Sequence, residues 1–67
     1  MAMIGETHRF VIEFVPGANG YSAKADWYVL TDHGQQSKPG GYAGEEMELS
    51  DAVSDVVDFL TEACGRI

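Results

Sequence analysis

Two alternating stretches separated by a short glycine-rich joint constrain this chain most. Between His8 and Val15, Phe10, Ile12 and Phe14 fall on one side, while Arg9, Val11, Glu13 and Val15 fall on the other. Alternation with period two, in β-branched and aromatic residues, is the pattern of a half-buried strand. Pro16-Gly17-Ala18-Asn19-Gly20 then interrupts it with residues suited to tight turns. From Tyr21 to Thr31 the alternation resumes. Tyr21, Ala23, Ala25, Trp27 and Val29 share one side; Ser22, Lys24, Asp26, Tyr28 and Leu30 share the other. Two such runs with so short a joint predict an antiparallel hairpin. A chain of 67 residues has room for one core, so residues 1–67 form a single small domain. Chains this short bury little surface, and whatever follows must dock on that hairpin.

From Asp32 to Gly44 the periodicity is lost. Asp32-His33-Gly34 reads as a turn, and Lys38-Pro39-Gly40-Gly41 fits a type II turn. Gln35–Ser37 and Tyr42–Met47 each have the composition of a short strand, and the expectation is one short third strand around Tyr42–Met47. Ser50–Ala63 predicts a helix, with Ser50 as N-cap, Asp51 in the first turn and Gly65 ending it. Val53, Val56, Val57, Leu60 and Cys64 fall at helical spacing on one apolar face. The fold class is therefore α+β: a small antiparallel sheet with one C-terminal amphipathic helix packed on one face. In this reading Phe10, Ile12, Phe14, Ala23, Ala25, Trp27 and Val29 meet Val53, Val56, Val57 and Leu60.

Composition narrows the function. A hydrophobic content of 45% opposes wholesale disorder. One cysteine, Cys64, excludes an intramolecular disulfide framework and a cysteine-based zinc site. No run approaches the roughly 20 apolar residues of a membrane span, and no basic segment leads into an apolar one. A cytoplasmic protein without membrane contact is expected. A net charge of −7 and a pI near 4.4 oppose direct nucleic-acid binding, which is mainly neutralisation of phosphate by Lys and Arg.

The charge is segregated. Residues 1–44 carry −1, whereas residues 45–62 hold seven acids and no base: Glu45, Glu46, Glu48, Asp51, Asp55, Asp58 and Glu62. Asp51, Asp55, Asp58 and Glu62 lie at i, i+4, i+7 and i+11, a continuous helix face opposite the valines. Neighbouring carboxylates at such spacings have Cβ atoms about 5–6 Å apart and repel by a few tenths of a kcal/mol per pair. An exposed helix under no other demand would interleave Lys or Arg. One reading is a solvated face that keeps the protein soluble. The other is an anionic docking surface, extended by Glu45, Glu46 and Glu48, that occupies a groove built for a phosphate backbone and steers encounter with a basic partner. Loose Ca²⁺ binding is a third possibility, but the D-x-D-x-D-G loop is absent. No metal site and no cofactor are expected.

Catalytic signatures are missing. His8 opens a strand and His33 sits in a turn, neither within a nucleophile, P-loop or metalloprotease motif. Cys64 falls on the face assigned inward, where free cysteine behaves as a small hydrophobe. A non-enzymatic protein is expected. Trp27 and Phe14 read as core. Tyr28 and Leu30 lie on the outward strand face, either covered by residues 32–44 or forming an apolar contact patch.

Two resemblances follow. Val11-Ile12-Glu13, then Gly20-Tyr21-Ser22-Ala23, then an acidic helix at Leu49–Leu60 resembles the N-terminal domain of HicB-type antitoxins, which cover an RNA-cutting toxin. Length, net charge and the stripe at Asp51, Asp55, Asp58 and Glu62 are similar to the small acidic inhibitors encoded by phages, including anti-CRISPR and anti-restriction proteins that imitate DNA. Both imply one mode of action: an acidic surface, on a monomer or homodimer, that occupies the basic nucleic-acid-binding site of another protein.

Overall fold

In the computed structural model, which describes residues 5–67, the chain turns at Ala18-Asn19 between β1 (Glu6–Gly17) and β2 (Gly20–Thr31). Both strands are longer than the alternating runs that predict them. Gly17 pairs with Gly20, and the antiparallel register continues to Glu6 opposite Thr31. Gly20 has φ +148°, and a Cβ there would collide with the Glu46 carbonyl oxygen, so only glycine fits this corner. The second turn is also as expected: Gly34 takes φ +81°, and Thr31 N–H donates to the Gln35 carbonyl at 2.9 Å.

β3 (Gln36–Glu46) pairs antiparallel with β2, giving a sheet of order β1-β2-β3. The third strand thus starts six residues before the predicted Tyr42, and Met47 lies beyond it. Lys38-Pro39-Gly40-Gly41 is strand and not a type II turn. Two features permit this. The register shifts between Trp27 and Val29, and β3 is an edge strand, where a missing N–H is tolerated. Gly40 sits opposite Trp27, and a Cβ there would lie 3.4 Å from the indole, so glycine leaves the ring its place.

One helix, α1 (Leu49–Gly65), packs on β2 and β3. Its N-cap is Glu48 and not Ser50, with no side-chain capping bond, and Arg66 follows its last residue. The inward face is rotated by about one residue from the predicted one. Ala52, Val56 and Ala63 are buried and Phe59 packs against them, whereas Val53 and Val57 are 41% and 51% exposed and Cys64 is exposed. Of the predicted inward set, Val56 is buried and Leu60 packs at the edge of the core. Small residues meet across the layers: Ala52 from the helix, Ala23 and Ala25 from β2. Alanine at these positions lets helix and sheet backbones approach closely, so the two layers are thin.

Trp27 is the one large side chain among the buried core residues. Phe10 stacks on it at 5.8 Å between centroids and meets Phe59 edge-on at 6.3 Å. Its indole Nε1–H donates to Nδ1 of His8 at 3.1 Å, which fixes the His8 proton on Nε2, 3.4 Å from Glu6. His8 therefore serves the core. Phe14 packs on the core of Ala23, Ala25, Ala52 and Val56, while Ile12, on the same side of the sheet, is 39% exposed beside the uncovered β1 edge.

Candidate acidic docking surface

The rotation of α1 gives the helix three longitudinal stripes. Ala52, Val56, Phe59 and Ala63 face the sheet. At 3.6 residues per turn, Asp51, Asp55, Asp58 and Glu62 then fall along one flank, and Val53, Val57, Leu60 and Cys64 along the other. The acidic flank overhangs β3. Here Asp55 accepts a hydrogen bond from the Tyr42 hydroxyl at 3.3 Å, and Tyr42 stacks on Phe59 at 6.4 Å. Asp55 is half-buried, so it does not stand on a free solvent face as the sequence pattern predicts. Asp51, Asp58 and Glu62 are exposed.

The strand alternation decides which of the preceding acids join them. Tyr42, Gly44 and Glu46 point toward the helix, opposite Ala25, Ala23 and Tyr21. Glu46 therefore joins Asp55 and Asp51. A hydrogen bond with Asp55 is the main cause that holds the Glu46 carboxyl above its ordinary pKa of 4.5, followed by the charge of Asp55, partial burial and the charge of Asp51. Partial burial, then the Asp55 charge and bond, raises the Tyr42 hydroxyl in the same way. Glu45 lies on the other face of the sheet, opposite Ser22, and is not part of this group. Glu48 is exposed at the helix entry. The continuous anionic surface is thus Glu46, Asp51, Asp55, Asp58 and Glu62, with Glu48 at its end.

A groove of about 490 Å³ runs below this flank, floored by Gly40, Gly41 and Tyr42 and walled by Asp58, Glu62 and Arg66. The Arg66 guanidinium also lies 5.5 Å over the Trp27 ring. Tyr42 is the residue that sequence reasoning missed. Its period-two relation to Glu46 is visible in the chain, but its meeting with Asp55 depends on the β2–β3 register.

The outer face of the sheet holds the compensated charges. Asp26 accepts from Lys38 at 2.8 Å and lies 3.8 Å from Lys24. The Lys38 hydrogen bond holds the Asp26 carboxyl below its ordinary 3.8. Tyr28 is half-buried, with the ammonium of Lys38 from β3 6.0 Å from its ring. The two lysines of the sheet therefore pair with Asp26, on the face away from the acidic flank.

Among the described residues, no group of three or more His, Cys, Asp or Glu side chains converges to hold a metal ion. No described helix is long and apolar enough to cross a membrane. Comparisons with protein-family models, with curated proteins and with solved structures find no match for this chain. What the arrangement can do chemically is present closely spaced negative charge beside a shallow aromatic-floored groove.

Proposed function

We propose that this protein is a non-enzymatic acidic inhibitor that binds the basic, nucleic-acid-binding surface of a partner protein or complex, in the manner of a DNA mimic of the anti-CRISPR kind. The observation that carries the reading is the uncompensated row on one flank of α1. Asp51, Asp58 and Glu62 are exposed there, Asp55 and Glu46 are crowded enough to raise a carboxyl pKa, and residues 45–62 contain no base. Like charges at these spacings oppose the helix by roughly 0.2–0.5 kcal/mol per pair. The spared lysines, Lys24 and Lys38, sit on the opposite face with Asp26. A surface of this kind pairs with Lys and Arg arrayed for phosphates.

The immobilised chain should capture nucleic-acid-binding proteins from a lysate. Duplex DNA added in excess should release them, and an Asp58→Lys/Glu62→Lys variant should fail to hold them. Equal capture by the reversed variant would defeat this reading. The second reading, a HicB-like antitoxin or regulatory protein–protein module, is favoured by a different observation: the apolar face beside β1 that the helix leaves uncovered. On that reading capture survives both DNA and charge reversal.

A further inference from the structure

We propose that β1 is the interface to a second copy of this chain, joining two three-stranded sheets into one continuous antiparallel sheet about a two-fold axis at Val11. The inference is independent of the acidic surface, which lies over β3 at the other side of the sheet.

Three observations carry it. The first is the contrast between the two edges. β3 is guarded by Lys38, Pro39 and a register irregularity, devices that discourage pairing. β1 has twelve residues and none of these along Glu6–Val15. A two-residue turn leaves its flanking residues as a hydrogen-bonded pair, so the odd residues of β1 bond to β2. The even residues Glu6, His8, Phe10, Ile12 and Phe14 then turn N–H and C=O to the open edge. Pro16, which has no N–H, falls at the end of that series.

The second observation is the face beside that edge. The helix packs on β2 and β3 and leaves Ile12 39%, Val53 41% and Val57 51% exposed, with Phe10 and Phe14 only half-buried. The radius of gyration is 14.3 Å, against about 11 Å for a compact domain of this length. Four of the six buried core residues are alanines. Pairing β1 with its copy sets Phe10, Ile12 and Phe14 of both chains side by side on one face, where they complete a core that a single chain lacks.

The third is charge complementarity, which selects the register. Pairings that keep both helices on the same face are those centred on a residue. With Val11 at the centre, Arg9 stands opposite Glu13 of the second copy, and Glu13 opposite its Arg9. Phe10 then faces Ile12, and His8 faces Phe14. Centring on Phe10 sets Arg9 against Val11 and Glu13 against Thr7. Centring on Ile12 sets Arg9 against Val15 and Glu13 against Val11. Only the Val11 register pairs the charges.

Sedimentation equilibrium on the full chain tests this. The wild type should sediment as a dimer. Arg9→Glu places two acids opposite each other twice, and Glu13→Arg two bases twice, so each variant alone should dimerise roughly tenfold or more weakly. Both side chains are exposed, and circular dichroism should show the wild-type fold in each. An equimolar mixture of the two variants restores both opposite-charge pairs between unlike chains and should recover dimers. A monomeric wild type would overturn the proposal and leave the edge to a different chain. A mixture no stronger than its components would overturn it as well, because the dimer would then use another register or surface.

Discussion

Asp55 is the residue whose meaning changes most between chain and fold. Helical spacing places it in a solvated row with Asp51, Asp58 and Glu62, but pairing β3 to β2 brings the Tyr42 hydroxyl to it at 3.3 Å and sets Glu46 close by. Glu46 is the better probe of this crowding. Its folded pKa lies above the ordinary 4.5, so the folded state holds that proton more tightly than the unfolded chain. The corresponding stability is fully present below 4.5 and is lost as pH rises through the raised value. Asp26 runs the other way: held below 3.8 by Lys38, it contributes stability above that value and loses it on acidification. Glu46→Gln, which cannot ionise, should therefore raise the Tm at neutral pH. It should also reduce the stability that the wild type loses between pH 4.5 and neutrality. Thermal unfolding at the two pH values reads this. A lower Tm for the variant at neutral pH would show that the carboxylate has a stabilising partner.

At the scale of elements, the strands of the hairpin are legible because period-two alternation with a glycine-rich joint is a local signal. The β3 assignment is less so, since Pro39 with Gly40 and Gly41 carries strong turn chemistry that only pairing with β2 and the space needed by Trp27 override. The helix is legible in extent, but its rotation is not. Apolar bulk singles out Val53 and Val57, whereas close packing on the sheet selects Ala52 and Ala63, which carry little hydrophobic signal. Two adjacent substitutions separate these readings. Val56→Asp should unfold the domain, because an unpaired buried carboxylate costs several kcal/mol, comparable with the stability of so small a core. Val57→Asp, at a position 51% exposed, should keep a folded circular dichroism spectrum. The opposite outcome would place the wrong face inward. The hairpin corner gives a third prediction. Gly20→Ala combines φ +148° with a collision against the Glu46 carbonyl, and should destabilise by about 1–3 kcal/mol in chemical denaturation. Gly34, at φ +81° in open space, should accept Asn with far less loss. Equal costs at both turns would contradict the packing of β3 against Gly20.

Across the whole molecule, charge and packing are assigned to different edges. The β3 side carries the acidic flank of α1, the β1 side carries the open strand and the exposed valines, and the sheet's two lysines are occupied with Asp26 on the outer face. The segregation itself is readable from the chain, as seven acids without a base in residues 45–62. Which acids share a surface is not, since Glu45 and Glu46 part to opposite faces by strand alternation alone. Asp58 and Glu62 are exposed members of the flank, and the described residues give them no hydrogen-bond or ion-pair partner. Their reversal therefore removes negative charge and leaves the core untouched. The most direct test is a binding titration of wild type and Asp58→Lys/Glu62→Lys against the protein captured from lysate, at low and high salt. The acidic-surface account predicts that reversal weakens binding by at least about tenfold. It further predicts that this difference shrinks as salt brings the Debye length from about 10 Å at 0.1 M toward about 3 Å at 1 M. Equal affinity of the two proteins at low salt would contradict it.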